Sequence, residues 1–283
     1  MGICAFCGRD RELSKEHVWP DWLIDEFPPL EPEARSVRLL GKIEGKDVAA
    51  IREREEGPEK VPSVVKVVCR SRKRGDDGCN DGWMSELENE VKPVIVPLAH
   101  GEAFSLTTEQ RRLLAFWTAK TMVMVEYTDP ATKATPVEAQ RFLYEWRQQR
   151  LVFRNVRVYI GMAADFLPRG YLHYRIVGNP VGVQAIDSQP ILLGQQTTFT
   201  IGHLVLSIFS TSHPPLEVDP SGVMHTLGLD KHLRSLVPER GITRYPPGPP
   251  LDAEKLLVLE SLMAAASADH LDLRTLQPVS PPE

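Results

Sequence analysis

The chain of 283 residues has no run approaching the roughly 18 consecutive apolar residues that a membrane span needs, so no membrane partner is expected. An excess of positive charge is also lacking. With Lys+Arg 33 against Asp+Glu 38, the net charge is −5, which argues mildly against a protein that coats nucleic acid by bulk attraction and leaves room for a local basic patch. There is no Walker-type phosphate loop, no GxSxG elbow and no GxGxxG fingerprint, so nucleotide hydrolysis, serine-esterase and dehydrogenase chemistry have no footing. Met1-Gly2-Ile3-Cys4 lacks the basic stretch and apolar core of a secretory signal, and Cys7 stands where a myristoylation signal prefers Ser or Thr. A cytoplasmic location is the expectation. What remains, at 42% hydrophobic and 25% charged, is the composition of an ordinary globular protein.

Cysteine is scarce, and its placement says more than its number. All four cysteines fall in the first 79 residues, as Cys4-x-x-Cys7 and the later pair Cys69 and Cys79. A reducing compartment disfavours disulfides, and this clustering points to a metal. Cys4 and Cys7 offer two thiolates from one tight turn, with Gly8 letting the backbone reverse. Cys69 at a strand end and Cys79 at a helix start can complete a tetrahedral zinc site. Knuckle, hairpin and helix-borne pair together make a treble-clef arrangement. Nine residues separate Cys69 from Cys79 where two are usual, and the glycines of the Arg70–Gly78 insertion allow it to loop out.

Two polar positions flank these cysteines. His17 follows Glu16, and Asn80 follows Cys79 directly. In a treble clef these places face each other across the hairpin–helix junction. A carboxylate and an asparagine oxygen there can hold one hard divalent cation, Mg²⁺ or Mn²⁺, with water filling the other positions. The imidazole can activate a water molecule for attack on phosphorus. Glu16 and His17 point to opposite sides of an extended strand, so a bulge, or a kink near Pro20, must aim them. Asn80 suits a second role equally well, capping the helix after Cys79. The one dense basic cluster, Arg70, Arg72, Lys73 and Arg74, lies between the third and fourth cysteines and is either a phosphate contact or a solvated loop. Trp19, Trp22, Trp83 and Met84 are expected in the core rather than as stacking platforms. Lys120 sits in an apolar helix, where it should snorkel or pair with a carboxylate. None of the other histidines falls at ligand spacing.

Along the chain, Asp21–Phe27 reads as a helical turn or two, and Ser36–Arg54 as a hairpin marked by Gly41 and Gly45. The β-branched run Val61–Val68 predicts a strand entering Cys69. A helix follows Cys79 with Trp83, Leu87 and Val91 on one face and should stop near Lys92, before Pro93. Thr107 and Gln110 form a capping box opening a helix to about Tyr127, and Pro136 opens another to about Arg150. Strands are expected at Val156–Met162, Tyr171–Val177, Val181–Ile186, Thr197–Ile201 and Leu204–Ser210. A stiff Pro246–Pro250 linker precedes a last helix over Asp252–Ala266, and the tail beyond Leu273 is expected to lack packed structure. The fold class is α+β: a zinc-stapled treble-clef (ββα-metal) module over 1–100, a mixed helix and antiparallel-sheet domain over 104–245, and a linker, helix and tail over 246–283.

Three segments carry a family resemblance: Cys4-Ala5-Phe6-Cys7-Gly8, Lys15-Glu16-His17-Val18-Trp19-Pro20-Asp21-Trp22-Leu23, and Cys79-Asn80-Asp81-Gly82-Trp83-Met84-Ser85-Glu86-Leu87-Glu88. Together they resemble the HNH endonuclease superfamily, in a bacterial and phage branch pairing an EHV(W/F)P-x-WL box with a CN-x-GWM-x-x-LE box. The resemblance implies a nuclease with His17 as general base, Glu16 and Asn80 as ligands of the catalytic cation, and the four cysteines as structural zinc ligands. DNA is the implied partner, RNA stays open, and residues 104–283 are free to bind a protein partner or a second copy. Two departures stand out. The third signature position is Asn80 rather than histidine, and residues 57–68 hold no asparagine to serve as the middle one. A degraded zinc module that binds nucleic acid or protein is therefore the rival expectation.

Overall fold

The computed structural model describes residues 1–28, 35–43, 46–54, 64–71, 77–128, 133–178, 191–211, 221–237, 243–260, 271–272 and 277–278. Two short strands, β1 (Gly2–Ile3) and β2 (Asp10–Arg11), pair across the Cys4–Cys7 turn. The next strand, β3 (Leu13–His17), pairs antiparallel with β6 (Val64–Cys69), which buries Val65, Val68 and Cys69. Between them lie helix α1 (Asp21–Glu26) and the hairpin of β4 (Arg35–Ile43) and β5 (Lys46–Arg54). Gly41 pairs within β4, opposite Val48, rather than at the turn.

A wide turn over Asn80–Met84, kinked at Gly82, leads into helix α2 (Ser85–Ala99). The helix does not stop before Pro93. It carries Pro93 and Pro97 internally, because burial of Val94, Ile95, Leu98 and Ala99 outweighs the lost hydrogen bonds. After β7 (Phe104–Leu106) comes α3 (Thr108–Glu126), opened by the expected box: Thr107 Oγ1 accepts from the Gln110 amide at 3.2 Å, and Gln110 Oε1 accepts from the Thr107 amide at 3.0 Å. The next helix, α4 (Val137–Glu145), is shorter than expected, giving way to a 3₁₀ turn over Arg147–Gln149.

The strand region differs from expectation in length. Two long strands, β8 (Val156–Gly178) and β9 (Ile191–Thr211), replace four short ones, running antiparallel through register shifts between Met162 and Gly170. The gap expected between Met162 and Tyr171 holds Asp165, Pro168 and Gly170, yet the pair bulges through it instead of ending. The expected Val181–Ile186 strand lies outside the described residues. The other edge of β8 takes β10 (Arg234–Val237) antiparallel near its start and β4 parallel near its end, so the sheet is mixed rather than wholly antiparallel. The short helix α5 (Ser221–Thr226), β11 (Thr243–Tyr245, paired with β7) and α6 (Ala253–Glu260) complete the main body. In the tail, residues 277–278 pair with 271–272.

Both faces of the β8–β9 pair are covered. Val156, Val158 and Ile160 alternate onto one core with Leu204, Leu206 and Ile208, while Tyr159, Val205 and Phe209 face a second with Met224, Leu229 and Leu256. The first core also holds Phe6, Trp19 and Trp83 from the cysteine-rich part together with Trp117 and Phe199. Phe6, Trp83 and Phe116 form an aromatic chain at 5.5 and 6.0 Å between ring centroids, which ties the N-terminal knuckle to α3. The fold is thus mixed α+β with small sheets. Trp19, Trp83 and Met84 are buried as expected, and Trp22 is half-buried beneath Lys92. No helix among the described residues is long and apolar enough to cross a membrane.

Candidate functional site

The four cysteine sulfurs all lie within 4.8 Å of one another. Cys4 and Cys7 sit on the knuckle between β1 and β2, where the Gly8 amide donates to the Cys4 carbonyl at 3.0 Å and Gly8 takes a left-handed φ of 70°. The Ala5 amide donates to Val67 O at 2.9 Å, fixing the knuckle against β6. Cys69 ends β6, and Cys79 precedes the wide turn. A tetrahedral zinc with arms of about 2.3 Å has sulfur–sulfur edges near 3.8 Å, and the Cys7–Cys69 separation is 3.7 Å. Backbone amides of Cys69 and Cys79 donate to the sulfurs of Cys4 and Cys69, each at 3.4 Å, as bonds to thiolates would. The donor set and its spacing fit a thiophilic divalent cation.

The electrostatics agree. The Cys79 thiol's hydrogen bond draws Cys4 down to about 4. Burial pushes Cys69 up to about 11, and the same Cys4 contact raises Cys79 above its ordinary range. Sulfurs packed this closely cannot all ionise without a cation among them.

The long spacing between Cys69 and Cys79 closes at a neck. The Gly78 amide donates to Ser71 Oγ at 3.0 Å, and the Ser71 amide donates to Asp81 Oδ2 at 2.8 Å. A Cβ on Gly78 would meet the Ser71 nitrogen at 2.2 Å, so only glycine permits this approach. The insertion is pinched off, which brings Cys79 back beside Cys69. Arg70 pairs with Glu12 at this neck. Arg72, Lys73 and Arg74 lie outside the described residues.

Beyond the cysteines, β3 carries Ser14 and Glu16. Asn80 Nδ2 donates to Ser14 Oγ at 2.9 Å, and Ser14 Oγ donates to Val68 O at 3.1 Å. The N-cap positions of the wide turn and of α2 are Cys79 and Met84, so Asn80 occupies neither. The register of β3 against β6 shifts between Ser14 and Glu16, while Glu16 and His17 pair in regular succession with Val65 and Val64, so the bulge expected to turn both side chains to one site does not lie between them. Glu16 is 8% exposed, whereas the His17 side chain is 40% exposed. His17 Nδ1 lies 2.9 Å from Oδ1 of Asp21, the first residue of α1. With Nδ1–H donating there, Nε2 is left with its lone pair.

Glu16 is the anomalous group. Burial raises its carboxyl to about 7, against the lowering pull of Lys120 and with the further upward push of Glu88, Asp21 and Asp81. Among the described residues its carboxylate accepts no hydrogen bond. Lys120, fully buried on α3, instead donates to Glu88 Oε1 on α2 at 2.7 Å. Sequence reasoning foresaw a carboxylate partner for Lys120 but did not name Glu88, and it missed Asp21. No spacing rule flags Asp21, because His17 ends β3 and α1 begins only at Asp21.

Two outcomes test this arrangement. Lys120→Met should destabilise the protein by about 3–5 kcal/mol, because it strands Glu88 against a buried site, while Lys120→Met/Glu88→Leu should recover most of that. Urea denaturation of both variants decides it; a single-variant cost under about 1 kcal/mol would contradict the pairing. The second concerns pH. The Glu16 pKa in the fold, about 7, exceeds its ordinary 4.5, so protonation favours the fold. Stability is lost as pH climbs between those values and stays lost above them, by about 3 kcal/mol. Glu16→Gln should therefore stabilise the cation-free protein at pH 8 and leave it unchanged near pH 4; equal pH slopes in variant and wild type would refute this.

Comparison of the chain with protein families, with curated proteins and with solved structures finds no match.

Proposed function

We propose that the chain is a metal-dependent endonuclease of HNH type that hydrolyses phosphodiester bonds, with DNA as the expected substrate. The observation that supports this most is the buried Glu16 carboxylate, without a hydrogen-bond partner among the described residues, next to a His17 oriented by Asp21. The knuckle, the β3–β6 pair and the helix after Cys79 are read as a treble clef stapled by zinc.

On this reading Glu16 and Asn80 hold Mg²⁺ or Mn²⁺, and such a cation, when bound, stabilises charge on the phosphate and the departing 3′-oxygen. His17 Nε2 takes the proton from a water molecule attacking phosphorus. Asp21 keeps the other ring nitrogen protonated and steadies the imidazolium that forms. Burial keeps water from competing for Glu16, and the acidic neighbours Asp21, Asp81 and Glu88 make the surroundings attractive to a cation. Because the Glu16 proton must leave first, cation affinity should rise with pH through about 7.

The test is incubation of the purified protein with supercoiled plasmid, single-stranded DNA and RNA, each with Mg²⁺, with Mn²⁺ and with neither. Nicking that requires the cation is expected. No cleavage of any substrate with either cation would overturn the reading in favour of a zinc module that binds without cutting. The net charge of −5 and the lack of asparagine in residues 57–68 are what favour that second reading.

A further inference from the structure

The chain is acidic overall, yet residues 141–157 hold Arg141, Arg147, Arg150, Arg154 and Arg157 against a single acid, Glu145. They run from the last turn of α4 through the 3₁₀ turn into the start of β8. Contacts within the segment are local. The Phe142 and Trp146 rings stack at 5.9 Å, and the Arg147 guanidinium lies 4.2 Å from the Tyr144 ring centroid. Arg150 Nη1 donates to Arg147 O at 2.7 Å, and Arg157 Nη1 donates to Arg154 O at 3.2 Å. Arg150 turns inward, its side chain 16% exposed, donating to Glu90 Oε2 on α2 at 2.6 Å with its guanidinium 5.8 Å from the Phe116 ring centroid. Trp146 is 41% exposed, unusual for so large an apolar ring. At the other end, Arg141 lies against Gly8 of the cysteine knuckle, where a Cβ would meet its guanidinium at 2.9 Å.

We infer that this arginine and tryptophan strip, from Arg141 to Arg157, is a docking surface for single-stranded nucleic acid. A phosphate backbone is the partner that so arginine-rich a segment complements, since planar forks match phosphate oxygens. Phosphates alone would not call for an open indole. Stacking of bases on an exposed aromatic ring beside a cationic track is how sequence-tolerant binders hold single strands, and Phe142 beneath Trp146 keeps that ring in place. A duplex hides its base faces and could use the arginines but not the tryptophan.

The inference does not require the cleavage reading, so the test removes cleavage. Fluorescence anisotropy is read with His17→Ala protein in buffer without divalent cation, using a labelled single-stranded oligonucleotide, an abasic oligonucleotide of the same length and a duplex. The single strand should bind at least tenfold tighter than the abasic strand. Trp146→Ala should weaken the single strand about tenfold and leave the abasic strand unaffected. Arg141→Glu/Arg147→Glu should weaken both strands and flatten the slope of log K against log salt by about 1.4, the loss of two backbone contacts. Charge reversal away from the strip, Arg234→Glu/Arg244→Glu, should change nothing. The strip variants lie at the surface, and unchanged melting and metal content would show that they fold. Binding insensitive to both strip variants would overturn the inference. So would abasic binding as tight as that of the base-bearing strand, which would leave only a polyanion surface, or a preference for duplex.

Discussion

Replacing His17 by alanine is expected to slow phosphodiester cleavage by about 10²- to 10⁴-fold, the usual cost of losing a general base. The side chain is 40% exposed and packs into no core, so metal content and melting temperature should not move. Asp21→Asn should cost less, about ten- to a hundredfold, because it removes the group that orients the ring and leaves the ring itself. The 82% exposure of Asp21 places that loss toward the lower end. Glu16→Gln makes the informative companion: cleavage should fall while the cation-free fold becomes more stable at pH 8. A misfolded protein cannot show both changes. Cleavage by His17→Ala at the wild-type rate, in protein freed of contaminating nuclease, would remove His17 from the base role and the proposed mechanism with it.

The parts of this site that were legible in the sequence are those set by short-range chemistry. Four cysteines, a β-branched run entering the third of them and a Thr107–Gln110 box each announce a local geometry, and each is present. What was not legible depends on packing between distant segments. Lys120 meets Glu88 only because α3 lies against α2, and no spacing rule joins residues 32 apart. Pro93 was a sound reason to end α2, but the stop signal is local and the burial that overrides it is not. The same imbalance lengthened the strands. Asp165, Pro168 and Gly170 carry turn chemistry, yet a partner strand already paired on both sides carries β8 through them as a bulge. Nine residues between Cys69 and Cys79 looked like poor metal spacing until the Ser71–Gly78 contact brought the two cysteines together.

Stripping the metal from the cysteine cluster should have the second large effect, and its extent is the interesting quantity. Structural zinc contributes on the order of 10–16 kcal/mol in small zinc modules, as much as or more than the whole stability of a typical domain. A free-standing knuckle would simply unfold. Here Phe6 and Trp83 are packed against Phe116, and Trp19 lies 5.6 Å from Phe199 on β9. Those contacts give the N-terminal elements a second anchor and give β8 and β9 a stake in them. Because β8 and β9 have a second core on their far face, around Tyr159, Phe209 and Leu256, they should survive the loss. Chelation, or Cys79→Ser, should therefore abolish hydrogen-exchange protection of the Cys69, Gly8 and Ala5 amides and of β3 and β6. The β8–β9 amides should stay protected, and elemental analysis of the untreated protein should find a single zinc per chain. Protection at Cys69 that outlasts complete metal removal would mean that the aromatic anchor alone holds the site. Simultaneous collapse of β8 and β9 would mean that the metal staples the entire core, with no separable module for it to close.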